Sequence, residues 1–160
     1  MSEKLEVIVA GVTYDLSDKV AYWHMRSKGF GLADSKRLML QGPLQHGASD
    51  VGYRLQPRKL QLVLLLSKDT EAAYWAGRDA LLRLFRPADA LLKLRFTAGS
   101  IVRQIDCAPL SVDLDSGDRR LYDHIVPVEL SAPDPSWYDP NGVTVNFGLL
   151  GNASSVIVKK

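Results

Sequence analysis

Much of this chain alternates between apolar and polar residues, the pattern of strands that bury one face. Leu5–Ala10 reads as a strand that Gly11 ends. Val12–Leu16 alternates again, so residues 5–16 predict a β-hairpin. Leu60–Leu66 is apolar at nearly every position, as in a strand buried on both faces. Leu92–Thr97 and Ile101–Ile105 flank Ala98-Gly99-Ser100 and predict a second hairpin. Leu110–Leu114 and Tyr122–Leu130 read as further strands, and Pro127 predicts an edge position or a bulge in the last.

One segment has the helical period instead. Tyr74, Gly77, Leu81, Leu84 and Phe85 share one stripe, with Leu82 and Trp75 at its margin, which predicts an amphipathic helix over 70–86. Ser67, Asp69 and Thr70 are candidate caps, and Pro87 stops the helix. Arg78 falls inside the apolar stripe, where a guanidinium calls for a carboxylate partner. Residues 17–58 are less regular. Glycines at 29, 31, 42, 47 and 52 and prolines at 43 and 57 interrupt strand-like pieces at 20–25 and 36–41. The expectation is irregular strands joined by an extended loop, a form that binding or assembly surfaces take. Residues 131–142 are rich in turns, and 143–160 predict two short strands. The predicted fold class is mainly β with one amphipathic helix. It forms one domain over 1–140 with an arm inside 17–58, followed by short strands or the remnant of a second domain over 141–160.

Composition narrows the function classes. At 160 residues the chain builds a core without metal or disulfide, and the single Cys107 excludes an internal disulfide framework. A net charge of +2 argues against a dedicated polyanion surface. No apolar run follows Met1–Lys4 as a signal peptide requires, and Leu62–Leu66 is far too short for a membrane span.

Catalytic chemistry finds few candidates. His24, His46, His124 and Cys107 are the soft ligands a zinc site would draw on, and they are widely spaced. Cys107 lies at a strand end beside Ala108 and Pro109, where a small hydrophobe is the expectation rather than a nucleophile. Gly29-Phe30-Gly31 lacks the third glycine and the strand–helix context of a dinucleotide fingerprint. Asp113, Asp115 and Asp118 approach a calcium loop, but Gly117 is one position early and His124 stands where the acidic ligand belongs. No cofactor is expected. The arginines are interspersed with acids, which favours interface salt bridges over an RNA surface.

The order of elements from Gly47 to Pro140 resembles the N-terminal domain of siphophage distal tail proteins, within the phage tail family. Arg58-Lys-Leu-Gln-Leu is similar to that family's arginine-led strand. The helix bearing Tyr74, Arg78, Leu81 and Leu82, ending in Leu84-Phe85-Arg86-Pro87, resembles its helix and terminating proline, and the 94–103 hairpin its next element. Leu130-Ser-Ala-Pro-Asp-Pro-Ser-Trp-Tyr-Asp139, a strand followed by Asp-Pro, one residue and an aromatic pair, is the most specific part.

The resemblance implies a structural protein and no catalysis. Its fold would be that of tail tube proteins, packed β-sheets or a β-sandwich flanked by a helix. Six copies would form a ring joining the tail tube to the tail tip or receptor-binding proteins, with β-extensions passing between neighbours. DNA would pass through the lumen without specific binding. No membrane is involved, and the location would be the virion tail, assembled in the bacterial host cytoplasm. Arg58, Arg78, Trp137 and Tyr138 are the candidate interface or structural residues. Fuller members carry a galectin-like or carbohydrate-binding domain after the Trp-Tyr segment. Only 141–160 stands there, so a short or truncated member without direct sugar binding is expected. The alternatives are a tube-like adaptor of a contractile tail or injection machine, and a small β-rich carbohydrate-binding module using Trp23, Trp75 or Trp137 as a platform.

Overall fold

The computed structural model describes residues 3–19, 22–44, 46–114, 119–120 and 122–142. Its elements are β1 (Glu3–Val9), β2 (Val12–Asp15), β3 (Trp23–Lys28), β4 (Ser35–Leu40), β5 (Ser49–Leu55), β6 (Arg58–Ser67), α1 (Glu71–Leu84), β7 (Leu92–Ala98), β8 (Ile101–Val112), β9 (Arg119–Arg120) and β10 (Asp123–Ala132). The main sheet runs β2-β1-β7-β8-β10-β6-β3, with β9 paired to β10, while β4 and β5 form a separate two-stranded sheet. All of the pairings are antiparallel.

The long strand β8 turns this ribbon into two packed layers. Its residues 101–107 pair with β7, and its residues 108–112 pair with β10. The two ends of the path then meet. Leu16, just past β2, donates its N–H to the Leu5 carbonyl at 2.8 Å and accepts from the His24 N–H of β3 at 2.9 Å. The result is a curled β-sandwich, with one helix lying across an end.

The predicted hairpin over 5–16 is present. Its turn is Ala10-Gly11, both with positive φ (50° and 81°), as a two-residue turn matching the strand twist requires. The expectation of a strand buried on both faces over 60–66 is corrected. Leu60, Leu62, Leu64 and Leu66 are fully buried, but Gln61 is exposed and Val63 and Leu65 are only partly covered. The odd positions form the outer surface of the sandwich. The strands read separately at 101–105 and 110–114 are one continuous β8, which runs through Pro109 next to a bulge at Glu129/Leu130. Pro127 lies inside the β10–β6 ladder. Its carbonyl accepts from Asp113, and the β8 ladder starts only at Val128, so its missing N–H faces the side where pairing has ended.

The helix matches its sequence signature. The Thr70 hydroxyl accepts from the Ala73 N–H at 3.3 Å as N-cap, and the helix ends before Pro87. Tyr74, Leu81, Leu84 and the following Phe85 are buried in the core. Each such side chain contributes about 1.5–3 kcal/mol. Gly77 lies close against the sheet, since a Cβ there would stand 2.9 Å from Leu66 Cδ1. The Tyr74 hydroxyl and His124 Nδ1, 2.9 Å apart and buried, share a hydrogen bond that fixes the helix to β10. The predicted strands in 143–160 and the loop at Asp115 and Asp118 lie outside the described residues.

Leu64 is central to both layers, so Leu64→Ala is expected to cost about 2–5 kcal/mol in urea unfolding. A loss below about 1 kcal/mol would show that the two layers are not held by this row.

Candidate functional site

The described residues group into two ends, separated by the length of β6, about 30 Å at roughly 3.3 Å per residue. One end carries the helix. The other carries the β4–β5 hairpin, the loop 29–31 and the segment 133–139. Three of the four candidate residues, Arg58, Trp137 and Tyr138, belong to the second end, and Arg78 is on the helix at the first.

Arg58 opens β6 on the inward side of the strand and is only 8% exposed. Its Nε donates to the Pro135 carbonyl at 2.9 Å. Its Nη1 donates to the carbonyls of Gly29 and Gly31, each at 2.6 Å. One guanidinium thus ties together β6, the loop leading to the hairpin, and the segment after β10. Burial pulls its pKa below the ordinary value, and the nearby Asp34 carboxylate opposes this. Arg58 uses the directional fork of arginine on neutral carbonyls, a role lysine does not reproduce. Gly29 is required here for two reasons. Its φ is +85°, and a Cβ would stand 2.2 Å from the Lys59 carbonyl oxygen.

Trp137 packs on Phe30, with ring centroids 5.1 Å apart, and Phe30 meets Phe96 edge-on at 5.8 Å. This cluster seals the end of the sandwich. A cavity of about 520 Å³ lies on one side of Trp137, between Arg58 and the base of the hairpin. A smaller one of about 290 Å³, lined by Phe30, Phe96, Arg103 and Trp137, lies on the other.

Tyr138 rejoins the sheet. Its N–H and carbonyl exchange hydrogen bonds with those of Gln104 at 2.9 and 2.8 Å, extending the edge of β8. Its hydroxyl accepts from Gln104 Nε2 and donates to Asp106 Oδ1, both at 2.7 Å. Burial first, and the bond to Asp106 second, push the Tyr138 phenol up to about 12. Across the outer face, Arg95 links Gln104 at 3.5 Å to Glu6 at 3.8 Å. Lys4 then joins Glu6 at 2.6 Å to Asp15 at 3.2 Å.

Arg78 differs from the sequence expectation. It is half-exposed, lies 5.4 Å over the Trp75 ring, and among the described residues has no carboxylate at ion-pair distance. Lys19 likewise lies 5.4 Å over Trp23. The two most exposed tryptophans therefore each carry a cation on one face rather than forming an open platform. Among the described residues no three His, Cys, Asp or Glu come together to hold a metal. Cys107 is buried, and burial pushes its thiol up to about 12, which keeps it protonated. His24 is drawn below its ordinary pKa by burial. Sequence reasoning missed Phe30, Phe96 and Gln104. Their partners are distant in sequence, and only the glycines flanking Phe30 marked the place.

Arg58→Lys is expected to lower stability by about 2–4 kcal/mol, because buried carbonyls lose their donors. Hydrogen exchange should rise in 29–31 and 135–138, and unchanged exchange there would remove the clamp role. Tyr138→Phe is expected to cost about 0.5–1.5 kcal/mol at neutral pH. The raised phenol pKa adds stability below about pH 10, the unfolded value, and that stability is lost as pH rises toward 12. The gap between wild type and Tyr138→Phe should therefore narrow over that window in urea titrations. A gap constant to pH 12 would contradict the raised phenol pKa.

No protein-family model matches the sequence, and no curated protein matches it. Solved structures do share its fold. The Dit protein of phage SPP1, described as a paradigm of the hub adsorption apparatus in phages infecting Gram-positive bacteria, superposes with a TM-score of 0.65 at 18% identity. That match covers 85% of this chain and 52% of the SPP1 chain. A chain of the phage p2 baseplate in its activated conformation with strontium gives 0.70 at 8% identity, covering 87% and 46%. One from the same baseplate with calcium gives 0.69 at 9% identity, covering 99% and 58%. The chain thus spans about half the length of the structures it resembles, and what it shares with them is the fold.

Proposed function

We propose that this protein is a structural subunit of a phage or prophage tail. Six copies close into a ring that joins the tail tube to the tail tip or receptor-binding proteins, in the virion tail. The observation that carries the reading is the β4–β5 hairpin, set on a fold shared with tail hub and baseplate proteins. Two strands alone are marginally stable in water. This pair exposes Leu38, Met39, Leu40, Val51, Tyr53 and Leu55 (43–65% exposed). Both of its outer edges lack a strand partner among the described residues. A hairpin with those properties calls for a neighbour, and in this reading it serves as an arm within residues 17–58.

The candidate residues take roles within this reading. Arg58, Trp137 and Tyr138 hold the base of the arm, so that the hairpin leaves the sandwich at a fixed angle. Arg78, stacked on Trp75, offers its outward donors to an adjacent subunit or tail protein. The work done is mechanical, and no residue is assigned a catalytic role.

Light scattering after size exclusion, over a concentration series, tests the ring. Six copies of the 17.7 kDa chain make a species of about 106 kDa. That mass is the expected result, and a monomer at every concentration would overturn the self-closing ring.

A further inference from the structure

The outer face of the main sheet carries apolar residues where β3, β6 and β10 lie side by side. Leu65 stands between Trp23 and Ile125, and Val63 between Arg26 and Pro127. The β3 bulge sets Met25 beside Arg26, two residues against Val63 alone. Trp23 and Met25 are 48% and 52% exposed, and Val63, Leu65, Ile125 and Pro127 are only partly covered. These six residues belong neither to the hairpin nor to the side chains that hold its base. A contiguous apolar patch on the solvent side of a sandwich marks an interaction surface.

The charges at its border say what covers it. The row next to the patch runs Lys28, Gln61, Glu129 across the same three strands. Lys28 and Glu129 are exposed, and among the described residues neither has an opposite charge at ion-pair distance. Gln61 stands between them and donates to Glu129 at 2.7 Å. The hairpin sets like charges opposite each other, Lys36 across from Arg54. Here a base lies on one flank of β6 and an acid on the other, each one strand away. That arrangement is complementary to itself. A half-turn about an axis along β6 exchanges the flanks and keeps every row level.

We propose that this face pairs two copies of the chain about a two-fold axis running along β6. The two sheets pack face to face, about 10 Å apart. Trp23 of each copy covers Ile125 of the other, and Met25 and Arg26 cover Pro127. Gln61 meets its own counterpart on the axis. Two Lys28–Glu129 ion pairs close the border, one on each flank, and fix which way round the copies meet. The contact is isologous, whereas heterologous contacts close a ring, so the pairing goes beyond the ring reading and is tested apart from it.

Gln61→Cys in the full chain tests the axis, since it leaves the patch and both charges in place. Cys107 is buried, so a short bismaleimide reacts at position 61. The expected product on a denaturing gel is a covalent dimer, twice 17.7 kDa, with no larger species. Lys93→Cys, exposed on β7 of the other layer, should give none. A hexamer by light scattering without the covalent dimer overturns the pairing and leaves the ring. A covalent dimer without a hexamer supports the pairing and overturns the ring. An equal yield from Lys93→Cys, or a monomer at every concentration, overturns the pairing. Charge reversal gives an independent reading. Lys28→Glu or Glu129→Lys alone turns both ion pairs into repulsions, so dimerisation in sedimentation equilibrium should weaken at least about tenfold. The double variant, Lys28→Glu with Glu129→Lys, should recover it. Unchanged association in the single variants, or no recovery in the double one, overturns the proposed axis.

Discussion

A buried cation held by three backbone carbonyls fixes the geometry of one whole end of this molecule. Desolvating a guanidinium is costly unless its donors are satisfied, and Nε and Nη1 of Arg58 donate to the carbonyls of Pro135, Gly29 and Gly31. None of these acceptors belongs to a neighbouring strand of β6. The clamp therefore joins segments that the sheet alone would leave independent. Losing either of the two segments exposes the charge to a worse environment, so the segments are held cooperatively. Phe30 and Trp137 are brought into contact by that clamp, and the hairpin begins a few residues beyond it.

The other end is closed by different means. There the helix links β6 to β7, and its attachment is mainly apolar, with Tyr74 and His124 supplying one buried polar contact. A fold sealed by a helix at one end and by an arginine clamp at the other needs little from the hairpin for its own stability. That division matters for assembly. The hairpin's side chains contribute almost nothing to the core, so its sequence is free to answer to a partner surface.

What the sequence made legible follows the same division. The first hairpin, the helix with its Thr70 cap and Pro87 stop, and the β7–β8 turn were all readable, because local chemistry and core burial agree there. Arg58 and the Trp137–Tyr138 pair were legible as positions, but their roles were not. The partners of Arg58 lie 27 to 77 residues away, and carbonyl acceptors leave no mark in a sequence. Strand β5 was missed because Ser49–Leu55 has no buried face and contains Gly52. It is a strand through its pairing with β4, not through burial. The two-faced burial expected of 60–66 failed for a related reason. Val63 and Leu65 are apolar, yet they look outward, and composition does not reveal a face. Arg78 was readable as odd for its stripe, and the solution, stacking on Trp75 one turn away, uses a neighbour that an ion-pair search overlooks.

Local conflict in an otherwise consistent fold is informative about function. Elsewhere in this chain, capping, turn chemistry, alternation and packing point the same way, as they do in a sequence selected to fold without frustration. The Lys36–Arg54 pair breaks that agreement on the most exposed strands of the molecule, where either residue is replaceable without disturbing the core. Fold stability gives no reason to keep two bases face to face. An acidic partner surface laid across them would give one, because the repulsion that weakens the free hairpin would turn to attraction there. A hairpin charged this way is poorly suited to stack with a second hairpin through the same face. The same charges that make it incomplete alone make the wrong contacts unfavourable, which is how specificity arises from repulsion as well as from fit.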